Sequence, residues 1–134
     1  MTISQYQIPV KIIIFNNRTL GMVKLEMRVQ GYIDWQTDMV NPDFVKLAEA
    51  MGISAWEAKE SSEVELALYN AFKHNGPAII NIFTDPNALA MPPTLTFEQV
   101  KGYAQSMAKL MLNGKFGEIV DTTKSDLKYL REIL

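Results

Sequence analysis

The chain has 134 residues, a formal net charge of −2 and an apolar fraction of 48%, which is enough for one domain with a sizeable core. It contains no cysteine and a single histidine, His74, which excludes disulfides, thiolate zinc sites and cysteine nucleophiles and argues against a multi-histidine metal cluster or a Ser/His/Asp triad. Its charges of both signs nearly balance, so composition gives no electrostatic case for binding nucleic acid.

The N-terminal residues 1–7 contain no helix-start signal of their own, and they fit the last turns of a helix that begins upstream. They also lack the basic and apolar regions of a signal peptide. No apolar stretch approaches the roughly 20 residues that span a bilayer. These features predict a cytoplasmic location.

The strongest strand signal is the β-branched and aromatic run VKIIIF at residues 10–15. Pro9 precedes it, and Asn16 and Asn17 end it. A run that is apolar on both faces predicts a buried, central parallel strand. Because ligands of open parallel sheets lie beyond the carboxyl ends of the strands, we expect a site at the two asparagines.

The next segments alternate between helix and strand signals. Residues 22–30 mix apolar and polar positions in a way that admits either a short helix or a strand. Asn41 is a predicted N-cap for a helix that ends at Gly52. A short strand at 53–58, a helix from Ser61 and a buried strand over residues 78–83 complete a pattern typical of an α/β fold with a parallel sheet and flanking helices. Two helices are predicted beyond this part, one capped by Thr96 with Gln99 and running to Leu112, and a short amphipathic one over 125–134. We therefore divide the chain into residues 1–91 and a helical C-terminal tail, 92–134.

Two residues are candidates for chemistry, and each has a simpler interpretation. The amide oxygen of Asn17 is a hard, neutral ligand of the kind that Mg²⁺ accepts, but an asparagine pair also turns a chain. Glu26 could transfer protons if partly desolvated, or it could be a surface acid that pairs with Lys24 or Arg28. Spacing alone favours the simpler interpretation of both.

Four sequence blocks, in order, resemble a known family. Residues 8–23, IPVKIIIFNNRTLGMV, resemble the second half of the thiamine-diphosphate motif, which opens with Gly-Asp-Gly and closes with Asn-Asn. Residues 41–52 look like the helix that follows in that family, and 75–80 look like its final strand. Residues 92–103 resemble the tail of pyruvate oxidases and pyruvate:quinone oxidoreductases. The resemblance covers essentially the whole chain.

The resemblance implies a fragment of a longer enzyme that oxidatively decarboxylates pyruvate with thiamine diphosphate, Mg²⁺ and FAD. The Gly-Asp-Gly half of the diphosphate-binding domain, with its metal-binding aspartate, and the FAD-binding domain would lie outside this chain. The fragment alone is therefore expected to be inactive. Two alternatives stay open: an acetolactate synthase, which is a carboligase, and a non-catalytic α/β binding module.

Carried onto this sequence, the family pattern implies a role for five residues. Asn17 would bind Mg²⁺ through its side chain, and Thr19 through its backbone carbonyl. Gly21 and Met22 would approach the reactive part of the cofactor, and Glu26 matches the active-site glutamate of pyruvate oxidases. Methionine at position 22 is more like the acetolactate synthases, whereas Glu26 favours the oxidases.

The resemblance also implies partners. We expect pyruvate as the substrate and a homo-oligomer, a tetramer in the full-length enzyme, and no nucleic acid. In quinone-reducing relatives the extreme C-terminus binds lipid, so peripheral contact with the inner face of the cell membrane is a second option for the tail. Apolar residues that fall close to one helix face could serve either that contact or ordinary packing. They are Tyr103, Met107, Leu110, Met111 and Leu112, followed by Leu127, Leu130 and Leu134.

Overall fold

The computed structural model describes residues 1–88 and 96–133, and for residues 128–133 it describes the backbone only. The chain folds as two compact units. The first comprises Met1–Asn17 and Val40–Thr84, and the second comprises Arg18–Met39 and Asp85–Leu134. In chain order the elements are α1 Thr2–Gln5, β1 Lys11–Asn16, α2 Gly21–Val29, α3 Phe44–Ala50, β2 Ser54–Ala58, α4 Ser61–Lys73, β3 Ala78–Phe83, α5 Phe97–Leu112 and α6 Phe116–Ile133.

The first unit is built on a three-stranded parallel sheet of order β1-β3-β2. Strand β3 is central, and its residues 78–82 are all buried. Ile80 and Ile82 pack with alanines of α4 in one apolar cluster, while Ile79 packs with Ala48 of α3 in another. Small residues on both helices let them approach the sheet closely, so each face of β3 is covered. The expected α/β fold with a parallel sheet and flanking helices is confirmed.

The prediction that residues 10–15 form the buried central strand is wrong for the described part of the chain. There β1 pairs with β3 alone, at one edge of the sheet. Ile13 is exposed, and the side chain of Phe15 is 72% exposed. The β-branched composition of residues 10–15 predicts a strand that is apolar on both faces. It does not predict where that strand lies among the other strands of the sheet. The central position belongs to β3.

The helix starts follow capping chemistry, with one correction. Asn41 is not the N-cap of α3: the cap is Asp43, whose carboxylate accepts from the backbone N–H of Val45 and Lys46, each at 3.1 Å. A carboxylate at an N-cap satisfies amides that have no partner within the helix. The predicted Thr96 cap of α5 is confirmed, as is the end of that helix at Leu112.

The second unit is helical. Helix α5 crosses α2 at Gly102, and a Cβ placed there would lie 1.9 Å from the carbonyl oxygen of Val29. The two backbones therefore touch, which only glycine permits. Helix α6 begins at Phe116, well before the predicted start at Ser125. The predicted boundary between residues 91 and 92 lies outside the described residues and stays a prediction.

The residues of the apolar stripe predicted in the tail differ in burial. Leu110 is fully buried within the second unit, whereas Met111, Leu112 and Leu127 are exposed. The side chains of Leu130 and Leu134 lie outside the described residues. Among the helices that the structure describes, none is long and apolar enough to cross a membrane.

Candidate functional site

The carboxyl end of β1 is held by a side-chain hydrogen bond. Asn16 is buried, and its Oδ1 accepts from Nδ2 of Asn41 at 2.8 Å. Its backbone carbonyl accepts from the N–H of Thr84 at 3.2 Å. Asn16 thus does more than turn the chain: it fixes residue 41, the position that we had expected to cap α3. Asn17 follows as the half-buried last residue of this segment of the first unit.

Thr19 belongs to the second unit and is buried. Its hydroxyl donates to the backbone carbonyl of Thr37 at 3.1 Å, and its backbone forms an isolated antiparallel bridge with Asp38. The Thr19 hydroxyl is therefore used in a hydrogen bond to the segment that contains Thr37. A metal ion would meet Thr19 through a backbone oxygen, the kind of ligand that the family resemblance implies.

Asn17 and Thr19 each carry an oxygen donor of a type that Mg²⁺ accepts. In the described ranges, no group of three or more histidine, aspartate or glutamate side chains could hold a metal ion. An amide oxygen and a backbone carbonyl are hard neutral donors, and Mg²⁺ commonly completes such a set with a carboxylate, water and phosphate oxygens. Asn17, in the first unit, offers the first of these donor types, and Thr19, in the second unit, offers the second.

Helix α2 carries the remaining candidates. Gly21 is its first residue, and Met22 is 64% exposed. Glu26 is also exposed and lines an open pocket of about 660 Å³ within the second unit. Other lining residues that bear polar side chains are Gln30, Tyr32, Glu98, Gln99, Lys101 and Gln105. Residues 22–30, ambiguous from the sequence, are helical through Val29, and this places an acid at the wall of a polar pocket.

The simpler interpretation of Glu26 is confirmed in part. The residue is an exposed surface acid and is not desolvated, but the expected pairing with Lys24 or Arg28 is wrong, because both cations face Asp34. Nζ of Lys24 lies 3.8 Å from Oδ2 of Asp34, and Nη2 of Arg28 lies 3.0 Å from Oδ1. On a helix, residues 24, 25 and 28 share one face, and in α2 that face is buried.

Sequence reasoning missed the role of Arg28, which is fully buried. Its Nε donates to Oδ1 of Asp34 at 3.0 Å, and its Nη1 donates to Oγ1 of Thr122 on α6 at 3.1 Å. Nη2 also lies 3.9 Å from Oε2 of Glu118. A signal existed: once residues 22–30 are taken as a helix, Arg28 falls one turn from Lys24 and beside Leu25, on the apolar side.

A second polar pair lies close to this cluster. The hydroxyl of Tyr103 donates to Oδ2 of Asp126 at 3.3 Å. Burial raises the pKa of Tyr103 to about 12, and the neighbouring Asp126 carboxylate adds to that shift. Burial also raises the pKa of Asp126 above its usual 3.8, although the Tyr103 hydrogen bond and the charge of Arg28 act in the opposite direction.

The raised pKa of Asp126 predicts a pH-dependent stability. The unfolded chain loses this proton at lower pH than the folded chain, so the contribution is full below pH 3.8 and is lost as pH rises through the folded pKa. Asp126→Asn keeps an oxygen for Tyr103 but cannot titrate. We expect the stability of the variant, relative to the parent, to increase between about pH 3 and pH 7. Thermal unfolding across this range measures it, with the exposed Asp121→Asn as the control; parallel profiles for parent and Asp126→Asn would contradict the prediction.

The fold defines a class of protein: an α/β domain built on a parallel sheet with flanking helices. The family model described as "Thiamine pyrophosphate enzyme, C-terminal TPP binding domain" matches residues 1–82. The chain belongs to this family. The expectation drawn from the Asn-Asn motif is confirmed at this level.

Individual relatives are also thiamine-diphosphate proteins or acetolactate synthases by name. The chain is 28% identical over 124 residues to YdaP of Bacillus subtilis, which is named as thiamine pyrophosphate-containing, covering 92% of this chain and 21% of that protein. It is 43% identical over 96 residues to a protein of Methanocaldococcus jannaschii named a probable acetolactate synthase large subunit, covering 69% and 16%. It is 34% identical over 85 residues to the mitochondrial acetolactate synthase catalytic subunit of Saccharomyces cerevisiae, covering 63% and 12%. The chain thus spans about a fifth or less of these relatives.

Proposed function

We propose that the chain is part of a thiamine-diphosphate-dependent enzyme that oxidatively decarboxylates pyruvate, as pyruvate oxidases and pyruvate:quinone oxidoreductases do. The observation that carries this proposal is Glu26, an exposed acid on the wall of a polar pocket, nine positions after Asn17. Family membership supports the cofactor, and the Glu26 spacing supports the oxidative branch. FAD, the electron carrier of that branch, would be bound by a domain other than this one.

The proposed roles follow from donor chemistry. Asn17 would bind Mg²⁺ through its side chain and Thr19 through its backbone carbonyl, and the metal would hold the cofactor's diphosphate. Gly21 and Met22 would border the cofactor's reactive part, where the Met22 thioether adds no charge. Bound thiamine diphosphate supplies the carbon nucleophile and the electron sink that decarboxylation of a 2-oxo acid requires. Glu26 would hold or deliver a proton within the pocket.

Acetolactate synthesis is the second candidate, and two observations favour it. Several of the relatives bear that name, and Met22 resembles the residue found there in those enzymes. Both candidates take pyruvate and the same cofactor. The alignment with YdaP covers 92% of the chain and thus includes much of the tail, whereas the acetolactate synthase alignments cited above cover 63–69%. This difference supports a relationship outside the synthase branch.

Two assembly features are also proposals: a homo-tetramer and peripheral contact of the tail with the inner face of the cell membrane. The exposed part of the apolar stripe, at Met111, Leu112 and Leu127, is the surface available for the latter.

The decisive experiment measures the products of the full-length enzyme and the effect of Glu26→Gln. We expect acetate or acetyl phosphate from pyruvate, and a loss of about 100-fold in kcat for Glu26→Gln, because an amide cannot exchange the proton. Glu65→Gln, an exposed acid on α4, is the control and should leave kcat unchanged. Acetolactate as the main product would establish the second candidate instead.

A further inference from the structure

We propose that Arg28 is a positioning residue that fixes the rotation of α2 about its axis and thereby the placement of Glu26. The significance of Glu26 rests on the proposed function. The anchoring of α2 by Arg28 rests on contacts within the second unit alone. An experiment can therefore contradict the role of Glu26 without contradicting the anchoring, and the reverse.

The contacts of Arg28 reach two other parts of the second unit. Nε of the guanidinium donates to Oδ1 of Asp34, in the loop after α2, at 3.0 Å. Nη2 lies 3.0 Å from the same oxygen as an ion pair but makes no hydrogen bond with any residue that the structure describes. Nη1 meets Thr122 of α6 at 3.1 Å. The guanidinium is planar and its donors are fixed in direction. The hydrogen bonds of Nε to Asp34 and of Nη1 to Thr122 therefore restrict the plane of the side chain and the orientation of the helix that carries it.

Stability alone does not account for a fully buried arginine at this position. Arginine is almost never completely buried unless it is paired, and hydrophobic residues of similar volume often stabilise a protein at least as well as a buried ion pair. What an apolar side chain cannot supply is direction, because it packs acceptably in several orientations. The contacts of Arg28 define one orientation, which is the property that a proton-transferring residue on the same helix needs.

The effect of rotation on Glu26 is large for geometric reasons. Arg28 and Glu26 are two residues apart, so they point to different sides of α2, one buried and one exposed. A side-chain tip lies about 5–6 Å from a helix axis, so a rotation of about 10° moves it by about 1 Å. A displacement of that size can cost about 100-fold in rate. The contact between Gly102 and Val29 sets the distance between α2 and α5. Arg28 sets the rotation of α2 about its own axis.

Arg28→Met in the full-length enzyme tests the proposal. We expect kcat for pyruvate to decrease by about 10- to 100-fold while KM changes by less than about threefold, since binding is kept and alignment is lost. Arg28→Lys should recover part of kcat, because lysine still meets Asp34 but has no fork of donors to reach Thr122 as well. Amide hydrogen exchange in residues 21–29 should be faster in Arg28→Met.

Thr122→Val is the milder variant if Arg28→Met fails to fold, and it should lower kcat by about 3- to 10-fold. Thr123→Val is its matched control, because the Thr123 hydroxyl donates to the Ile119 carbonyl of its own helix at 2.7 Å. A lower melting temperature with kcat unchanged per folded molecule would overturn the proposal. Faster exchange in α2 together with a fully active Glu26→Gln enzyme would uphold the anchor and overturn the role of Glu26.

Discussion

Replacing Gly102 with alanine is expected to destabilise the second unit by about 3 kcal/mol or more. The added Cβ would lie 1.9 Å from the Val29 carbonyl oxygen and 2.7 Å from its carbonyl carbon. These are backbone atoms of a neighbouring helix, so no rotamer change relieves the overlap and α5 must move away from α2. The same substitution in an unobstructed helix normally stabilises by roughly 0.5–1 kcal/mol, so the sign of the effect is itself diagnostic.

Gly117→Ala is the matched control for this experiment. Gly117 also lies in a helix of the second unit, and a Cβ there would meet no atom within 4 Å. It should be neutral or stabilising by up to about 1 kcal/mol. Denaturant unfolding of both variants measures the difference, and a Gly102→Ala chain as stable as the parent would show that α2 and α5 do not touch as described.

Replacing Asn81 with aspartate is expected to destabilise the first unit by about 2–4 kcal/mol at neutral pH. The side chain is only 2% exposed, on the central strand, and its Nδ2 donates to Oε2 of Glu57 at 3.1 Å. Aspartate would place a second carboxylate beside that of Glu57. The amide that donates a hydrogen bond to Glu57 would thus be replaced by a negative charge that repels it. Nζ of Lys59 lies 3.0 Å from Oε1 of Glu57. Its single positive charge would neutralise only one of the two carboxylates.

The loss in the Asn81→Asp variant should depend on pH with a defined sign. Burial and the charge of Glu57 would raise the folded pKa of the introduced carboxyl above its unfolded value. The penalty is therefore small in acid and grows as pH rises above about 4. Adding Glu57→Gln should recover most of the loss, because one amide then faces one carboxyl. Unfolding of the two single variants and the double variant from about pH 4 to pH 8 measures the coupling; additive effects at every pH would contradict it.

Local signals predicted most of the elements because the chemistry that they describe is local. The buried strand over 78–83, the Thr96 cap and the end of α5 depend on a few neighbouring residues, and the structure confirms them. Asn41 shows the limit of such signals. Two residues in that stretch could cap a helix. The structure uses Asp43, whereas the side chain of Asn41 donates to Asn16, far away in sequence.

Non-local features could not be read in the same way. An apolar β-branched run indicates a strand but not its place in the sheet. The prediction of a central position for β1 is therefore wrong for the described sheet, in which β1 lies at one edge. Arg28 looks like a surface charge in the sequence, since its partners Asp34 and Thr122 are brought to it only by the fold. Residue chemistry pointed only to Asn17 and Glu26, and the family resemblance supplied the roles of all five candidates. The roles of Asn17, Thr19, Gly21, Met22 and Glu26 remain predictions about cofactor and substrate.

The strand order has a consequence for how the first unit forms. The last strand in the sequence, β3, lies between the other two: Ala78 aligns with both Lys11 and Ser54. During synthesis, the ladders β1–β3 and β2–β3 cannot form until residues 78–83 emerge. Contacts so distant in sequence form slowly because the loop-closure entropy is lost before they stabilise the chain. Completion of β3 is therefore the step at which both described ladders form.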